Sequence, residues 1–228
     1  MDAEVVATLA RTTLFQSLGE DALLSVARSC VSRNFSRGQF LFYQGDPGDR
    51  LFIIVSGLVK VVFTSVQGDE LVLATLGPRE VVGEMAVLDQ VPRSASVIAT
   101  KPTRALLLNR PVLLGLMHTH PPVMDALLKL LGGLVRRLTE QTGELAFLDL
   151  RGRLASVLLR LAHERGLAGA PAVLDLGLTQ SDLGAMIGAS RPAVNRGLQS
   201  LASSGLIELR GPCIALIDPA GLRRQSGN

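Results

Sequence analysis

The spacing of apolar and polar residues changes along the chain, and each change predicts a different kind of structure. Residues 3–31 place apolar side chains at helical intervals, so short helices are expected at the start. From Phe35 to about Asn109, short runs rich in Val, Ile, Leu and Phe are separated by turn signals such as Gly-Asp-Pro-Gly-Asp at 45–49. Short strands at this spacing predict an all-β barrel or jelly roll.

A long helix is expected after this β region. Pro121-Pro122 suits a first helical turn, and a helical pattern continues to about Leu148. Positions spaced four and three residues apart form a heptad seam, which consists of Leu127, Leu131, Leu134, Leu138, Gln141, Leu145 and Leu148. Such a seam packs against a copy of itself or against its own domain. We expect it to form a homodimer.

The C-terminal part has the pattern of a helix-turn-helix. Thr179 is expected to cap one helix, with Asp182 at its third position. A tight turn follows at Gly188-Ala189-Ser190, where Ser190 is expected to cap a second helix. In this motif the second helix enters the major groove of DNA. A purely structural pair of helices is the alternative.

Specific side chains of this motif suit DNA contacts. Arginine matches O6 and N7 of guanine, and asparagine matches adenine. The candidates for base reading are therefore Arg191, Asn195 and Arg196. The candidates for phosphate contacts, which fix the register of a protein on DNA, are Thr179, Gln180 and Ser190.

The basic charge of the chain is concentrated in the same region. Residues 150–228 carry nine arginines and five acidic residues, a net charge of +4, whereas residues 1–149 have a net charge of −1. A modest basic excess at one end fits a nucleic-acid-binding domain, although a solvated charged surface would look similar.

The length, the apolar runs and the cysteine content of the sequence limit the class of protein. A length of 228 residues allows two domains, and the apolar runs are too short for a membrane span. The first residues include acids and lack the pattern of a signal peptide. Cys30 and Cys213 lie far apart in the sequence and match no metal motif. We expect two reduced thiols in a cytoplasmic protein.

One segment suggests an anion site inside the β region. The sequence GEMAVLDQVPRSA, residues 83–95, holds Glu84 nine residues before Arg93. A cyclic nucleotide has one phosphate charge and a free ribose 2′-hydroxyl, so its site needs an anion receptor beside a carboxylate. Arg93 can grip two phosphate oxygens, Glu84 can accept from the hydroxyl, and Gly83 allows close approach of the backbone. The alternative is that Glu84 and Arg93 simply pair across a loop.

This segment resembles the phosphate-binding cassette of the cyclic AMP receptor protein/FNR (catabolite activator) family of bacterial transcription regulators, and we call it the cassette. The resemblance extends over nearly the whole chain: GDPGDRLFIIVSGLVKV resembles early barrel strands, ELAFLDLRGRLA a hinge, and LTQSDLGAMIGASRPAVNR the DNA-reading motif. It implies a ligand site formed by Gly83, Glu84, Arg93, Ser94 and the backbone at Met85 and Ala95. It also implies a hinge at Phe147, Leu148 and Asp149.

Two departures from the family pattern affect specificity. Leu138 and Thr139 occupy the positions where the cyclic-AMP members place a Thr-Ser pair against adenine. A leucine cannot hydrogen-bond the base, so the selectivity for the base stays open. Cyclic AMP is the first choice if Thr139 suffices for the adenine amino group, and cyclic GMP is the second if Ser94 bonds the 2-amino group of a syn guanine. Pro192 stands where relatives usually have an acid that accepts from cytosine, so the preferred half-site is expected to differ at one base pair.

Other functions fit the sequence less well. No nucleophile, base and orienting group form an enzyme's constellation. His118, His120 and His163 invite a metal or haem, but they lack a third neighbouring ligand, so no metal is expected. A regulator of the same fold that is independent of ligand, or gated by redox state or gas, remains the alternative. By resemblance, RNA polymerase is a further partner, through residues 164–173.

The complete expectation is an α+β protein in three parts. They are a cyclic-nucleotide-binding jelly roll over residues 1–120, a dimerisation helix and hinge over 121–148, and a winged helix-turn-helix over 149–228. The partners expected are double-stranded DNA and a second copy of the chain, with no membrane.

Overall fold

The computed structural model describes residues 3–167, 171–211 and 213–227. They form two compact units, divided between Arg136 and Arg137. The first unit contains α1 (Ala3–Ala10), α2 (Glu20–Ser29), β1 (Val31–Phe35), β2 (Phe40–Phe42), β3 (Arg50–Ser56), β4 (Val59–Thr64), β5 (Glu70–Leu76), β6 (Val81–Val82), α3 (Glu84–Asp89), β7 (Ser96–Ala99), β8 (Thr103–Asn109) and α4 (Arg110–Thr119). The helix α5 (Pro121–Phe147) continues from the first unit into the second.

The predicted barrel consists of two antiparallel four-stranded sheets. One has the order β1-β8-β3-β6 and the other β2-β7-β4-β5. Their inner faces enclose an apolar core that includes Phe52, Ile54 and Val97. The strands agree with the prediction because the turn signals divide the apolar runs at the points where the chain reverses.

Strand β3 is buried on both of its faces. Leu51 and Ile53 point to a second core, shared with α1, α2, α4 and the start of α5, while Phe52 and Ile54 point into the barrel. Alternate side chains of a strand lie on opposite faces, so the uninterrupted apolar run LFIIV serves two cores. The expected short helices therefore form a layer over one sheet.

The predicted heptad seam of α5 is only partly exposed. Leu127 is 1% exposed, because it packs in the core of its own domain. The exposed large apolar residues of the helix are Met124, Leu128, Val135, Leu138, Leu145 and the terminal Phe147. We call the first five the α5 stripe. Their spacing follows a heptad pattern that shares Leu138 and Leu145 with the predicted seam, but it lies on a neighbouring line of the helix.

The second unit contains α6 (Leu150–Glu164), β9 (Ala172–Asp175), α7 (Gln180–Ile187), α8 (Arg191–Ser203), β10 (Ile207–Arg210), β11 (Cys213–Leu216) and α9 (Pro219–Gln225). Its three strands form an antiparallel sheet with the order β10-β11-β9. Its buried core includes the apolar helix-turn-helix residues Leu183, Ile187, Val194, Leu198 and Leu201, and Met186 packs against them partly buried. The sequence Arg210-Gly211-Pro212 predicts a hairpin turn, but Pro212 lies outside the described residues.

Two further expectations concern membranes and thiols. In the described part of the chain, no helix has both the length and the apolar content needed to cross a bilayer. Cys30 packs against the core beneath α2, and burial raises the pKa of its thiol to about 11. A thiol with this pKa is almost entirely protonated at neutral pH, so Cys30 has the character of an unreactive structural residue.

Candidate ligand and DNA sites

Arg93 lies inside the barrel with its side chain buried. Its Nη1 donates to the carbonyl oxygen of Gly83 and its Nη2 to that of Arg50, each at 2.6 Å. The guanidinium carbon lies 4.2 Å from the centre of the Phe42 ring. The Nε atom is also buried, and it has no hydrogen-bond partner among the described residues. The structure thus presents a desolvated cation with donor capacity to spare.

The turn at residues 45–49 fixes the backbone of Arg93. Its N–H donates to the carbonyl of Asp46 at 2.9 Å, and its carbonyl accepts from the N–H of Gly45 at 2.8 Å. The same turn packs closely on α3, since a Cβ on Gly48 would lie 2.1 Å from that of Ala86. The sequence Gly-Asp-Pro-Gly-Asp predicted only a turn. In the structure this turn also holds the backbone of Arg93 in place.

Position 83 requires a glycine for two reasons, its left-handed backbone conformation and the closeness of Arg93. Gly83 caps α3 in the left-handed region, with φ of +87°. A Cβ on this residue would lie 2.4 Å from Nη1 of Arg93. The sequence predicted that a group would closely approach the backbone at Gly83. In the structure that group is the guanidinium of Arg93.

A pair of alanine substitutions separates these two requirements. Gly45 has the same φ of +87°, but nothing lies within 4 Å of the position of its Cβ. Gly45→Ala is expected to lower the free energy of unfolding by about 1 kcal/mol for the left-handed backbone alone. Gly83→Ala is expected to lower it by about 3 kcal/mol, because Arg93 must also move. Urea denaturation measures both, and equal losses would show that Arg93 gives way freely.

Glu84 begins α3 and is also buried, at 7% exposure. Desolvation raises the pKa of its carboxyl group above the ordinary value, against the opposing effects of backbone hydrogen bonds and the charge of Arg93. No ion pair within 4.0 Å joins Glu84 to Arg93 in the part of the chain that the structure describes, so they do not simply neutralise each other. Burial likewise lowers the pKa of Arg93, while Asp49, Glu84 and Asp46 raise it.

The remaining predicted ligand residues divide into two groups. Met85 and Ser94 are exposed members of the cassette, and Ala95 is buried. Leu138 and Thr139 are exposed residues of α5 in the second unit. Their contact with a base stays a prediction.

The helix-turn-helix begins with the predicted cap. The Thr179 hydroxyl accepts from the N–H of Asp182 at 3.1 Å, and the Asp182 carboxylate accepts from the N–H of Thr179 at 2.8 Å. Gly188 ends α7 in the left-handed conformation. Gly184 makes the turn tight, since a Cβ there would lie 2.4 Å from the carbonyl oxygen of Ala189. The two helices are therefore held at a close, fixed distance.

Helix α8 presents the predicted DNA-reading side chains to solvent. Arg191, Asn195 and Arg196 are exposed, and Pro192 lies in the first turn. Ser190 holds the predicted N-cap position of α8, but its hydroxyl makes no capping hydrogen bond. Asn195 Nδ2 lies 3.4 Å from Oε1 of Gln180, which joins a predicted base reader to a predicted phosphate contact.

Arg153 is a residue of this unit that the sequence did not single out. Its Nε donates to the carbonyl of Leu148 and its Nη1 to that of Ile187. It thereby ties the predicted hinge to the end of α7. Beside it, Asp149 caps α6 by accepting from the N–H of Gly152, while Phe147 is 87% exposed. Every residue has a backbone carbonyl, so the sequence gives no sign that Arg153 bonds to these two.

Comparisons with known proteins identify two domains in the chain. The model of the cyclic nucleotide-binding domain matches residues 32–120, and that of the Crp-like helix-turn-helix domain matches residues 152–225. The "CRP-like cAMP-activated global transcriptional regulator" of Mycobacterium tuberculosis is 33% identical over 219 residues, covering 96% of this chain and 98% of that protein. The "Cyclic AMP receptor protein" of Thermus thermophilus is 36% identical over 209 residues, covering 92% and 94%.

A solved structure supports the fold. FixK2 from Bradyrhizobium japonicum matches with a TM-score of 0.77 at 21% identity, covering 86% of this chain and 96% of that one. A cyclic nucleotide-binding domain followed by a Crp-like helix-turn-helix domain defines a transcription regulator, not an enzyme. The chain belongs to the cyclic AMP receptor protein/FNR family of transcription regulators.

The structure also bears on the alternatives that involve a metal. Across residues 3–167, 171–211 and 213–227, no cluster of three or more His, Cys, Asp or Glu side chains is arranged to hold a metal ion.

Proposed function

We propose that this chain is a homodimeric regulator in the cytoplasm that binds cyclic AMP in the barrel and DNA through α8. The observation that carries the proposal is the buried guanidinium of Arg93, which has an unpartnered Nε and lies near a buried carboxylate that does not pair with it. A buried cation without a bound counter-charge favours an anionic ligand.

Each cassette residue has a role in this proposal. Arg93 binds the phosphate, and Glu84 accepts a hydrogen bond from the ribose 2′-hydroxyl. Ser94 adds a hydroxyl at the exposed side, and the backbone at Met85 and Ala95 completes the phosphate site. Gly83 leaves the space that Arg93 occupies.

The identity of the base is the finer part of the proposal. Two relatives are named for cyclic AMP, which supports this ligand as the first choice. Thr139 offers a hydroxyl to the amino group of adenine, whereas Leu138 offers none. Cyclic GMP is the second choice, because Ser94 could accept from its 2-amino group.

The α5 stripe supports homodimerisation. Five exposed apolar residues at heptad spacing on one helix are typical of a surface that a second helix covers. A two-fold dimer would place two copies of α8 about 34 Å apart, one turn of DNA, on a near-palindromic operator.

The coupling of ligand to DNA is part of the same proposal. Nucleotide bound near Leu138 and Thr139 repacks α5, and the hinge at Phe147, Leu148 and Asp149 reorients the DNA-binding domains. A ligand shifts such an equilibrium only when it binds one state better than the other. The domain limits 1–120, 121–148 and 149–228 follow this division of roles. RNA polymerase is a proposed partner through residues 164–173, of which 168–170 lie outside the described part.

Calorimetric titration with cyclic AMP and, separately, cyclic GMP tests the proposal. Tight binding of one nucleotide, together with DNA binding that this nucleotide strengthens, is the expected result. Binding of neither would leave Glu84 and Arg93 as structural groups in a regulator that is independent of ligand or differently gated.

Replacing Glu84 with glutamine is expected to stabilise the ligand-free protein while weakening nucleotide binding. Because the folded-state pKa of Glu84 is raised, the ionised carboxylate destabilises the fold at neutral pH. The stability gap between variant and wild type should close as the pH falls through that pKa, when the folded state takes up a proton. The neutral amide accepts a weaker hydrogen bond from the 2′-hydroxyl, so affinity should fall about tenfold.

Urea denaturation from pH 8 down to about pH 4, with calorimetry at pH 7.5, measures both effects. A stability gap that stays constant with pH would show that the Glu84 carboxylate is adequately solvated.

A further inference from the structure

The ring of Phe42 forms one side of the Arg93 site. The guanidinium carbon lies 4.2 Å from the centre of this ring and 5.8 Å from the centre of the Phe52 ring. The two rings lie 5.3 Å apart, inclined at 47°. An arginine at this distance over an aromatic ring is attracted by the negative charge of the ring face.

We propose that Phe42 is a positioning residue for ligand capture, which acts by holding the Arg93 guanidinium inside the barrel in readiness for an anion. Phe42 need not touch the ligand. The inference rests on the proposed function and deepens it, because it names the group that keeps the phosphate receptor preorganised.

The surroundings of the guanidinium explain why a ring is needed. Within the described residues Arg93 has no carboxylate partner at ion-pair distance, and its two hydrogen bonds go to neutral carbonyl groups. Both bonds lie at the edge of the guanidinium, so its face depends on a different interaction. A desolvated aromatic face can stabilise a cation without supplying a negative charge that would repel the phosphate.

Competing positions are available to Arg93. Asp49 and Asp46 attract its charge, and Asp49 already lies 3.6 Å from Nε of Arg50. Without the ring, the buried orientation loses stabilisation relative to orientations nearer these carboxylates. The apparent affinity of a site falls in proportion to the fraction of molecules in the binding-competent state. Loss of the ring face should therefore weaken ligand binding through Arg93.

Phe40 is the matched control on the same strand. It also belongs to β2 and is half-buried, but it stacks on Tyr43, with ring centres 4.1 Å apart. Arg93 instead contacts the rings of Phe42 and Phe52. The same substitution at Phe40 or at Phe42 changes one aromatic side chain of β2. Only the substitution at Phe42 changes the ring that faces the Arg93 guanidinium.

The test measures nucleotide affinity while the charge of one ring is varied at nearly constant size. Phenylalanine carrying one, two or three fluorines is introduced at position 42 alone, and in a parallel series at position 40. Each added fluorine at position 42 should weaken binding of cyclic AMP or cyclic GMP further, reaching about tenfold. The series at position 40 should leave affinity unchanged, and thermal unfolding should shift equally little in both.

Phe42→Leu and Phe40→Leu provide the same comparison with natural residues, with the larger loss of affinity expected at position 42. Affinity that is independent of fluorination at position 42 overturns the inference while leaving the proposed function intact, since the wild type still binds. If the wild type binds neither nucleotide, the proposed function fails and the inference fails with it.

Discussion

Arg93→Ala removes binding of cyclic AMP and cyclic GMP while leaving the barrel folded; this is the largest effect that we expect at the ligand site. The variant loses a buried cation and the charge-assisted hydrogen bonds that it would make to the phosphate. Such bonds are each worth about 1.5–3 kcal/mol, so the loss of two lowers affinity at least about a hundredfold. Calorimetric titration with each nucleotide measures the loss.

The ligand-free fold should tolerate this change, because the variant also removes a desolvated charge. The carbonyl groups of Gly83 and Arg50 lose their donor, and water entering the vacated space can bond to both. Circular dichroism and size-exclusion chromatography check that the variant remains folded.

Two further variants make the result specific. Arg33→Ala removes an exposed arginine from β1 of the same domain and should leave affinity unchanged. Arg93→Lys keeps the charge but not the planar fork, and it should bind with intermediate affinity. If Arg93→Ala binds as tightly as the wild type, the nucleotide site lies elsewhere.

Most of the β region could be predicted because its longer strands leave a mark in the sequence. Apolar runs separated by turn residues correspond to β2, β3, β4, β5, β7 and β8, since glycine and proline favour the turns between them. Four elements left no comparable mark. Strand β6 has only two residues, helix α4 begins with Arg-Pro and contains an inner glycine, β9 is only four residues long, and α9 is only seven.

The ligand site was only partly predictable for a related reason. The sequence predicts an anion site because it places three suitable residues close together, namely Gly83, Glu84 and Arg93. The groups that hold Arg93 are the ring of Phe42 and the carbonyl of Arg50, which lie some forty to fifty residues away. A carbonyl is common to every residue, so only the fold identifies which ones serve.

The seam of α5 illustrates how tertiary packing selects among sequence patterns. Leucines are frequent enough in this helix for two neighbouring heptad lines to be drawn through it. The core of the first unit takes Leu127, which leaves the line through Leu128 and Val135 exposed. Periodicity predicts that one face of a helix is buried, but it does not say which neighbour buries each residue.

Arg191 and Arg196 are expected to account for most of the sequence preference at the operator. Each is exposed on α8, and neither makes a side-chain hydrogen bond or ion pair in the regions that the structure describes. A bidentate contact with guanine is worth about 1–3 kcal/mol, and a dimer makes each contact twice. Arg191→Ala or Arg196→Ala should therefore weaken operator binding about a hundredfold and relax the preference at one base pair of each half-site.

Binding to operator variants mutated at single base pairs, at fixed salt concentration, measures both effects. Arg223→Ala is the matched control, because it removes an exposed arginine from α9, outside the helix-turn-helix, and should change affinity little. A phosphate contact would behave differently from a base contact: its loss weakens binding to all sequences alike and lowers the salt dependence. If Arg196→Ala weakens every operator variant equally, Arg196 fixes the register of α8 on the DNA backbone, and the base preference must come from Arg191 and Asn195.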